Sequence, residues 1–166
     1  MPRPVPSEKI SLTDTDRKIL DILSLDGSIS YAALGAAVGL SSTGAHERVK
    51  RLKEQGVIKR IAAVIEPRKI DRSFLCFVRL KLSDVDKRGK AEQLMKISEI
   101  EEIHNIAGEY SILCKIRSKD TEHMEQVYNE IYKIPGVVQS ETTVVFGTFL
   151  EQPMRLSSDE DDGAEA

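Results

Sequence analysis

The sequence predicts an α+β protein of two modules: an N-terminal winged helix-turn-helix and a C-terminal ferredoxin-like βαββαβ domain. Three observations carry that prediction. Residues 10–60 contain three short stretches of helical periodicity separated by glycine-bearing turns. Residues 73–151 run through strand-like and helix-like patterns in the order βαββαβ. The charge is also divided. Residues 1–72 carry 13 Lys/Arg against 9 Asp/Glu, a net of +4, while residues 73–152 carry 10 against 13 and residues 153–166 carry 1 against 5. A basic first module in a chain of formal net charge −3 implies an anionic partner for that module.

Residues 1–9, with prolines at Pro2, Pro4 and Pro6, read as a flexible arm. Thr13 is placed to cap a helix in which Ile19, Leu20, Ile22 and Leu23 form an apolar stripe, with Asp14 and Asp16 favouring its dipole. Asp26-Gly27 ends it. Ser30 caps a short second helix, YAALGAAV, and Gly39 fits its C-terminal left-handed position. Ser41 then caps a third helix running to about Gln55, with Gly56 as its stop. Two helices joined by so tight a glycine-containing turn form a helix-turn-helix unit, here within residues 10–60.

The stretch 41–60, SSTGAHERVKRLKEQGVIKR, holds six Lys/Arg against two Glu. On a helical wheel Ala45, Val49 and Leu52 form a narrow seam that must bury against the first two helices. Thr43, Glu47, Lys50 and Glu54 then look outward, flanked by His46 and Arg51. An outward helix N-terminus carrying the cap Ser41 with Ser42, Thr43, His46 and Glu47 fits a DNA major groove. Lys50, Arg51, Lys53, Lys59 and Arg60 would meet the flanking phosphates. Arg48 lies nearer the seam, positioned to pair with an acid of the first helix. Residues 61–72 read as an interdomain strand or linker, and VIKRIAAVIEP as the strands of a wing or a strand leading to the second module.

In the second module SFLCFVRLKL alternates, with Phe74, Cys76, Val78, Leu80 and Leu82 on one face and Leu75, Phe77, Arg79 and Lys81 on the other. Residues 87–98 read as a helix with Ala91, Leu94, Met95 and Ser98 on its stripe. EEIHNIA and YSILCKIRS are strands flanking a Gly108-Glu109 hairpin. Residues 121–134 form a helix with Met124, Val127, Tyr128 and Ile131 at helical spacing, and VVQSETTVVF supplies the last strand. Two helices cover one sheet face, so the other, with Leu75, Phe77 and Leu113, is expected to be a mixed apolar surface that self-associates. Residues 152–166 are acidic and aperiodic, a disordered solubilising tail.

Composition narrows the function classes. With 40% hydrophobic and 31% charged residues, and no run of 18 apolar ones, the chain reads as globular and cytoplasmic. MPRPVPSEKI lacks the apolar core of a secretory signal. Cys76 and Cys114 are 38 positions apart, without CxxC or His spacing, and read as a buried reduced pair. His104 and His123 have no ligand-spaced neighbours and read as surface or strand-edge histidines, and Glu99, Glu101 and Glu102 as a solvated turn and strand edge. No nucleophile elbow, phosphate loop, metal cluster or paired carboxylates stand out, so the sequence predicts a non-enzyme without metal or cofactor.

The motifs D-x-x-I-L at Asp16–Leu20, VGLS at Val38–Ser41, RVKRL at Arg48–Leu52 and GVI at Gly56–Ile58 resemble the Lrp/AsnC (leucine-responsive regulatory protein, feast/famine) family of transcription regulators. The resemblance covers about residues 10–151 and implies a sequence-specific, nucleoid-associated DNA-binding regulator that responds to an amino acid or related small molecule. It implies homodimers pairing through the sheet and interdomain strand, assembled further into octamers. It also implies an effector site at the hairpin Ile106, Ala107, Gly108, Glu109, Tyr110 and Ser111. There the family pattern T-G-x-Y-D is matched at Gly108 and Tyr110, while Ala107 and Ser111 depart. Backbone N–H groups around Gly108 would serve an effector carboxylate, whereas Ser111 removes a candidate acceptor for its ammonium. Gly35 and Gly44 depart inside helices, at a propensity cost of about 1 kcal/mol each against Ala, and Gly44 would let the helix approach DNA closely. The related sirohaem decarboxylases offer an enzymatic alternative, in which His104 or His123 would act with Arg79 or Arg117.

Overall fold

The computed structural model describes residues 10–83, 86–154 and 156. The arm at 1–9 and most of the tail expected at 152–166 lie outside the described residues. The chain divides into two compact units, one reaching to Val64 and joined by the stretch from Glu151, the other spanning Ile65–Leu150.

The first unit is built from α1 (Asp14–Leu25), α2 (Tyr31–Val38) and α3 (Ser42–Glu54). Ile19, Leu34, Ala45, Val49 and Leu52 form its buried centre, so the expected α3 seam is the packed one. At about 25 cal/mol per Å² of apolar surface, such a small core leaves modest stability, and polar contacts have to add to it. Asp16 is the chief of these. It is 1% exposed and forms a capping box: Asp16 N–H donates to Thr13 Oγ1 at 3.2 Å, while Thr13 N–H donates back to Asp16 Oδ2 at 3.1 Å.

Residues 57–66 form no strand in the single chain; of the wing, interdomain strand or linker expected there, the strands are not formed and the segment runs across the boundary between the units at Val64 and Ile65. An extended segment becomes a strand only when a neighbour completes its ladder, and none of the described residues pairs with it. It walls an open groove of about 880 Å³ with the C-terminal end of α1, Pro153 and Met154. The tail's first residues also return to this unit, where the Leu156 N–H donates to Asp21 Oδ1 at 2.9 Å.

The second unit contains a 3-10 turn (Pro67–Ile70), β1 (Phe74–Leu82), α4 (Lys87–Leu94), β2 (Ile100–Asn105), β3 (Ile112–Ser118), α5 (Thr121–Tyr132) and β4 (Val137–Val145). The strands pair antiparallel in the order β2-β3-β1-β4. Cys76, Val78, Leu80, Ile112, Cys114 and Ile116 meet Leu94, Met124, Val127 and Ile131 in one core. The expected helix 87–98 stops earlier. Lys96 N–H bonds to Gln93 O and Ile97 N–H to Leu94 O, tightening the last turn so that Ile97 packs on the core while Met95 and Ser98 face out.

The open sheet face is less apolar than its alternation suggested. Leu75 is already buried, and the charged residues between the apolar ones are matched across strands. Arg79 pairs with Glu141, Lys81 with Glu109 (2.9 Å), Lys115 with Glu101 and Glu102 (3.3 and 3.4 Å), and Arg117 with Glu101 (2.6 Å). Glu101 and Glu102 lie exposed on the edge strand, as expected, and in addition accept these ion pairs. Glu99 likewise meets His123 at 3.3 Å.

Candidate nucleic-acid interface and effector hairpin

The turn between α2 and α3 is set by backbone fit. Gly39 adopts φ 74°, a left-handed conformation suited to glycine, and Leu40 N–H bonds to Gly35 O at 2.8 Å. A Cβ on Gly35 would stand 2.6 Å from Leu40 O and 2.9 Å from Ser41 O. Gly35 is thus required by the close passage of the turn over α2, and its apparent propensity cost is outweighed. Ser41 Oγ then accepts from Gly44 N–H at 3.0 Å and starts α3. A Cβ on Gly44 would point back at that cap, 3.3 Å from Ser41 Oγ, so the glycine also relieves the cap.

Two arginines aim α3. Arg48 donates to Asp16 Oδ1 at 3.1 Å, as its position near the seam predicted. Arg51 reaches both carboxylate oxygens at 3.0 Å. Burial pushes the Asp16 carboxyl up, but hydrogen bonds from Thr13 and Arg48 and the charge of Arg51 outweigh it and hold the group below its ordinary 3.8. Arg51, expected among the phosphate contacts, shares its guanidinium with Asp16 while its side chain stays 47% exposed. The sequence could have shown this, since Arg48 and Arg51 are one turn apart and both border the seam.

The other candidate DNA contacts, Ser41, Ser42, Thr43, His46, Glu47, Lys50, Lys53, Lys59 and Arg60, are all exposed. Among the described residues Lys50, Lys53, Lys59 and Arg60 form no ion pair. The outer face of α3 thus presents short polar groups at its N-terminal end and unmatched cations beyond. Tyr31, the first residue of α2, was not singled out in the sequence. Its ring meets that of His46 edge-on, with centroids 4.9 Å apart and planes at 75°.

The hairpin 106–111 closes through Ile106 N–H to Ser111 O (3.0 Å), while Ser111 N–H bonds to Leu80 O (2.9 Å). Gly108 at φ 110° turns the backbone where a side chain would be strained. The Arg79 guanidinium lies over the Tyr110 ring, 5.4 Å from its centroid. Desolvation and the carboxylates of Glu141 and Glu109 hold the Tyr110 hydroxyl above its ordinary 10. Of Ile106, Ala107, Gly108, Glu109, Tyr110 and Ser111, the side chains of Glu109 and Tyr110 meet charges of β1, Lys81 and Arg79 respectively.

His104 pairs with Glu102 at 2.9 Å. His123 is half-buried rather than on the surface, with Arg72 on Nδ1 at 3.0 Å and Glu99 on Nε2. Among the described residues neither histidine meets Arg79 or Arg117, as the enzymatic alternative would need. Cys76 and Cys114 are buried and form no disulfide, Cys76 Sγ donating to Met124 Sδ at 3.6 Å, and desolvation pushes their thiols up to about 11 and about 12. No helix among the described residues is long and apolar enough to cross a membrane.

A model of winged helix-turn-helix DNA-binding domains matches residues 12–59, and a model of the Lrp/AsnC ligand binding domain matches residues 75–154. The chain is 34% identical over 143 residues to the HTH-type transcriptional regulator FL11 of Pyrococcus abyssi, covering 86% of this chain and 95% of that one. It is 38% identical over 135 residues to the leucine-responsive regulatory protein of Salmonella typhimurium, covering 78% and 82%. It is 38% identical over 140 residues to a proline dehydrogenase transcriptional activator of Rhizobium radiobacter, covering 82% and 90%. Among solved structures, the leucine response regulatory protein of Mycobacterium tuberculosis superposes with a TM-score of 0.79 at 26% identity, covering 88% of this chain and 100% of the other.

Proposed function

We propose, from the premise that this chain belongs to the Lrp/AsnC family of DNA-binding transcriptional regulators, that the outer face of α3 is the surface that reads its operator. The observation that carries this reading is the division of α3 itself. Ala45, Val49 and Leu52 are buried, while Thr43, His46, Glu47 and Lys50 are exposed at one continuous face. In this reading Ser41, Ser42, Thr43, His46 and Glu47 enter the major groove, and Lys50, Lys53, Lys59 and Arg60 meet phosphates. Binding should be tested by fluorescence anisotropy on the DNA upstream of the protein's own gene. Lys50→Ala and Lys53→Ala should each weaken binding to every sequence and lower the salt slope by about one. Thr43→Ala should instead change the preferred bases. Unchanged binding in all three variants would show that another surface holds the DNA.

Regulation by an amino acid at residues 106–111 is supported by the names of relatives linked to leucine and to proline dehydrogenase, and by the polar hairpin around Gly108 and Tyr110. A thermal-shift screen of the twenty amino acids, with and without DNA, tests it. A shift of several degrees for one of them, abolished by Gly108→Val, is the expected outcome. A flat panel would count against a small effector.

Self-association is supported by apolar side chains that the single chain leaves in water: Val64 at 97% exposure, Phe146 at 100% and Phe149 at 104%. A dimer would present two α3 helices to half-sites about one helical turn apart. Sedimentation should give at least a dimer, and a monomer at micromolar concentration would overturn this part.

A further inference from the structure

We propose that Tyr31 is a positioning residue for base selection: its ring fixes the direction in which the His46 imidazole meets DNA. The inference rests on the reading that the outer face of α3 enters the groove. Ser30 caps α2, with Oγ accepting from Ala33 N–H at 3.2 Å, and so places Tyr31 at the helix's first position. From there the ring turns its neighbour's imidazole into an edge-to-face contact, 4.9 Å between centroids. Tyr31 is 36% exposed and the His46 side chain 50% exposed, so the pair lies on the surface and not in the core. Glu47 Oε1 stands 3.6 Å from His46 Nδ1, too far for a hydrogen bond. The ring contact, not a hydrogen bond, orients the imidazole.

A side chain discriminates bases only when its donors and acceptors are held in one direction. If the imidazole had to be ordered on binding, the correct and incorrect base would both bear that cost, and part of the difference between them would blur. Packing against Tyr31 completes the ordering during folding. The cations at Lys50 and Lys53 cannot supply this discrimination, because phosphates are alike in every sequence.

The test uses the full-length protein and a randomised duplex library, with base preference compared for wild type, His46→Ala, Tyr31→Leu, Tyr31→Phe and the Tyr31→Leu/His46→Ala double variant. His46→Ala should flatten preference at one base-pair position in each half-site. Tyr31→Leu should flatten the same position by about three- to tenfold, the range an aromatic pair supports. Tyr31→Phe, which keeps the ring, should retain it, and the double variant should match His46→Ala. Affinity of Tyr31→Leu for unrelated duplex should stay within about twofold of wild type, because no phosphate contact is lost. A uniform loss of affinity with preserved preference would make Tyr31 a phosphate contact and overturn the inference. A changed profile for His46→Ala beside an unchanged one for Tyr31→Leu overturns the inference alone, whereas an unchanged His46→Ala profile overturns the assignment of the α3 face as well. Without DNA, the His46 Cε1–H resonance should carry a Tyr31 ring-current shift that Tyr31→Leu removes and Tyr31→Phe keeps. Identical spectra would overturn the proposal whatever the library shows.

Discussion

Replacing Asp16 with Ala should unsettle the first unit more than any surface change on it. The carboxylate is 1% exposed and accepts from Thr13 N–H (3.1 Å), Thr13 O–H (2.7 Å), Arg48 (3.1 Å) and Arg51 (3.0 Å). Loss of the cap costs about 1 kcal/mol. The arginines add less than a fully buried pair would. Their side chains are 32% and 47% exposed and turn to water once released, so the two together contribute about 1–2 kcal/mol. The total of about 2–3 kcal/mol corresponds to a melting drop of roughly 10–20 °C for a unit this small, read by circular dichroism. Thr13→Ala, which removes the cap and leaves the arginines, should lose about 1 kcal/mol. The sign with pH follows from the depressed folded-state value. The contribution is complete above the unfolded value of 3.8 and is lost as pH falls through the lower folded one. Wild type should therefore lose more stability than Asp16→Ala on acidification from about pH 5 to about pH 3. A variant that melts within about 2 °C of wild type at neutral pH would refute the assignment of the carboxylate as the clamp.

Three further outcomes follow from the same contacts. Gly35→Ala, favoured by helix propensity, should instead destabilise by about 1–3 kcal/mol and lower DNA affinity, because its Cβ meets backbone at 2.6 Å; a raised melting temperature would show that the turn gives way freely. Arg51→Ala should lower the melting temperature while leaving the salt slope of DNA binding unchanged, and a slope reduced by about one would return Arg51 to the phosphate contacts. Cys76 and Cys114, with thiols raised to about 11 and about 12, should resist a thiol reagent at pH 8 in the native protein and react on unfolding. Rapid labelling of the native protein would contradict their burial.

Much of this was legible in the sequence because it depends on local periodicity. The seam of Ala45, Val49 and Leu52, the caps Thr13, Ser30 and Ser41, and the alternation of β1 are all one-dimensional patterns with a direct physical meaning. What escaped depends on contacts between elements. Arg51 looked like a free cation because its partner Asp16 lies 35 positions away. Gly35 looked like a blemish because the carbonyls that crowd it belong to the next turn. Tyr31 and His46 are 15 positions apart and on different helices, so no helical spacing links them. Residues 57–66 have strand-like composition, yet strand formation needs a partner that one chain does not supply. The end of α4 was misplaced by one turn because Met95 and Ile97 are equally apolar, and only tertiary fit chooses between them.

The cross-strand ladder on the open sheet face has a consequence for how the molecule is seen from a distance. Arg79, Lys115 and Arg117 are each matched by a carboxylate within the sheet, and Lys81 by Glu109 of the hairpin. Their fields close over a few ångströms and project little into solvent. These four side chains therefore add little to the field a polyanion meets at the second unit. In the reading proposed above, Lys50, Lys53, Lys59 and Arg60 would supply the long-range attraction, on a chain whose net charge is negative.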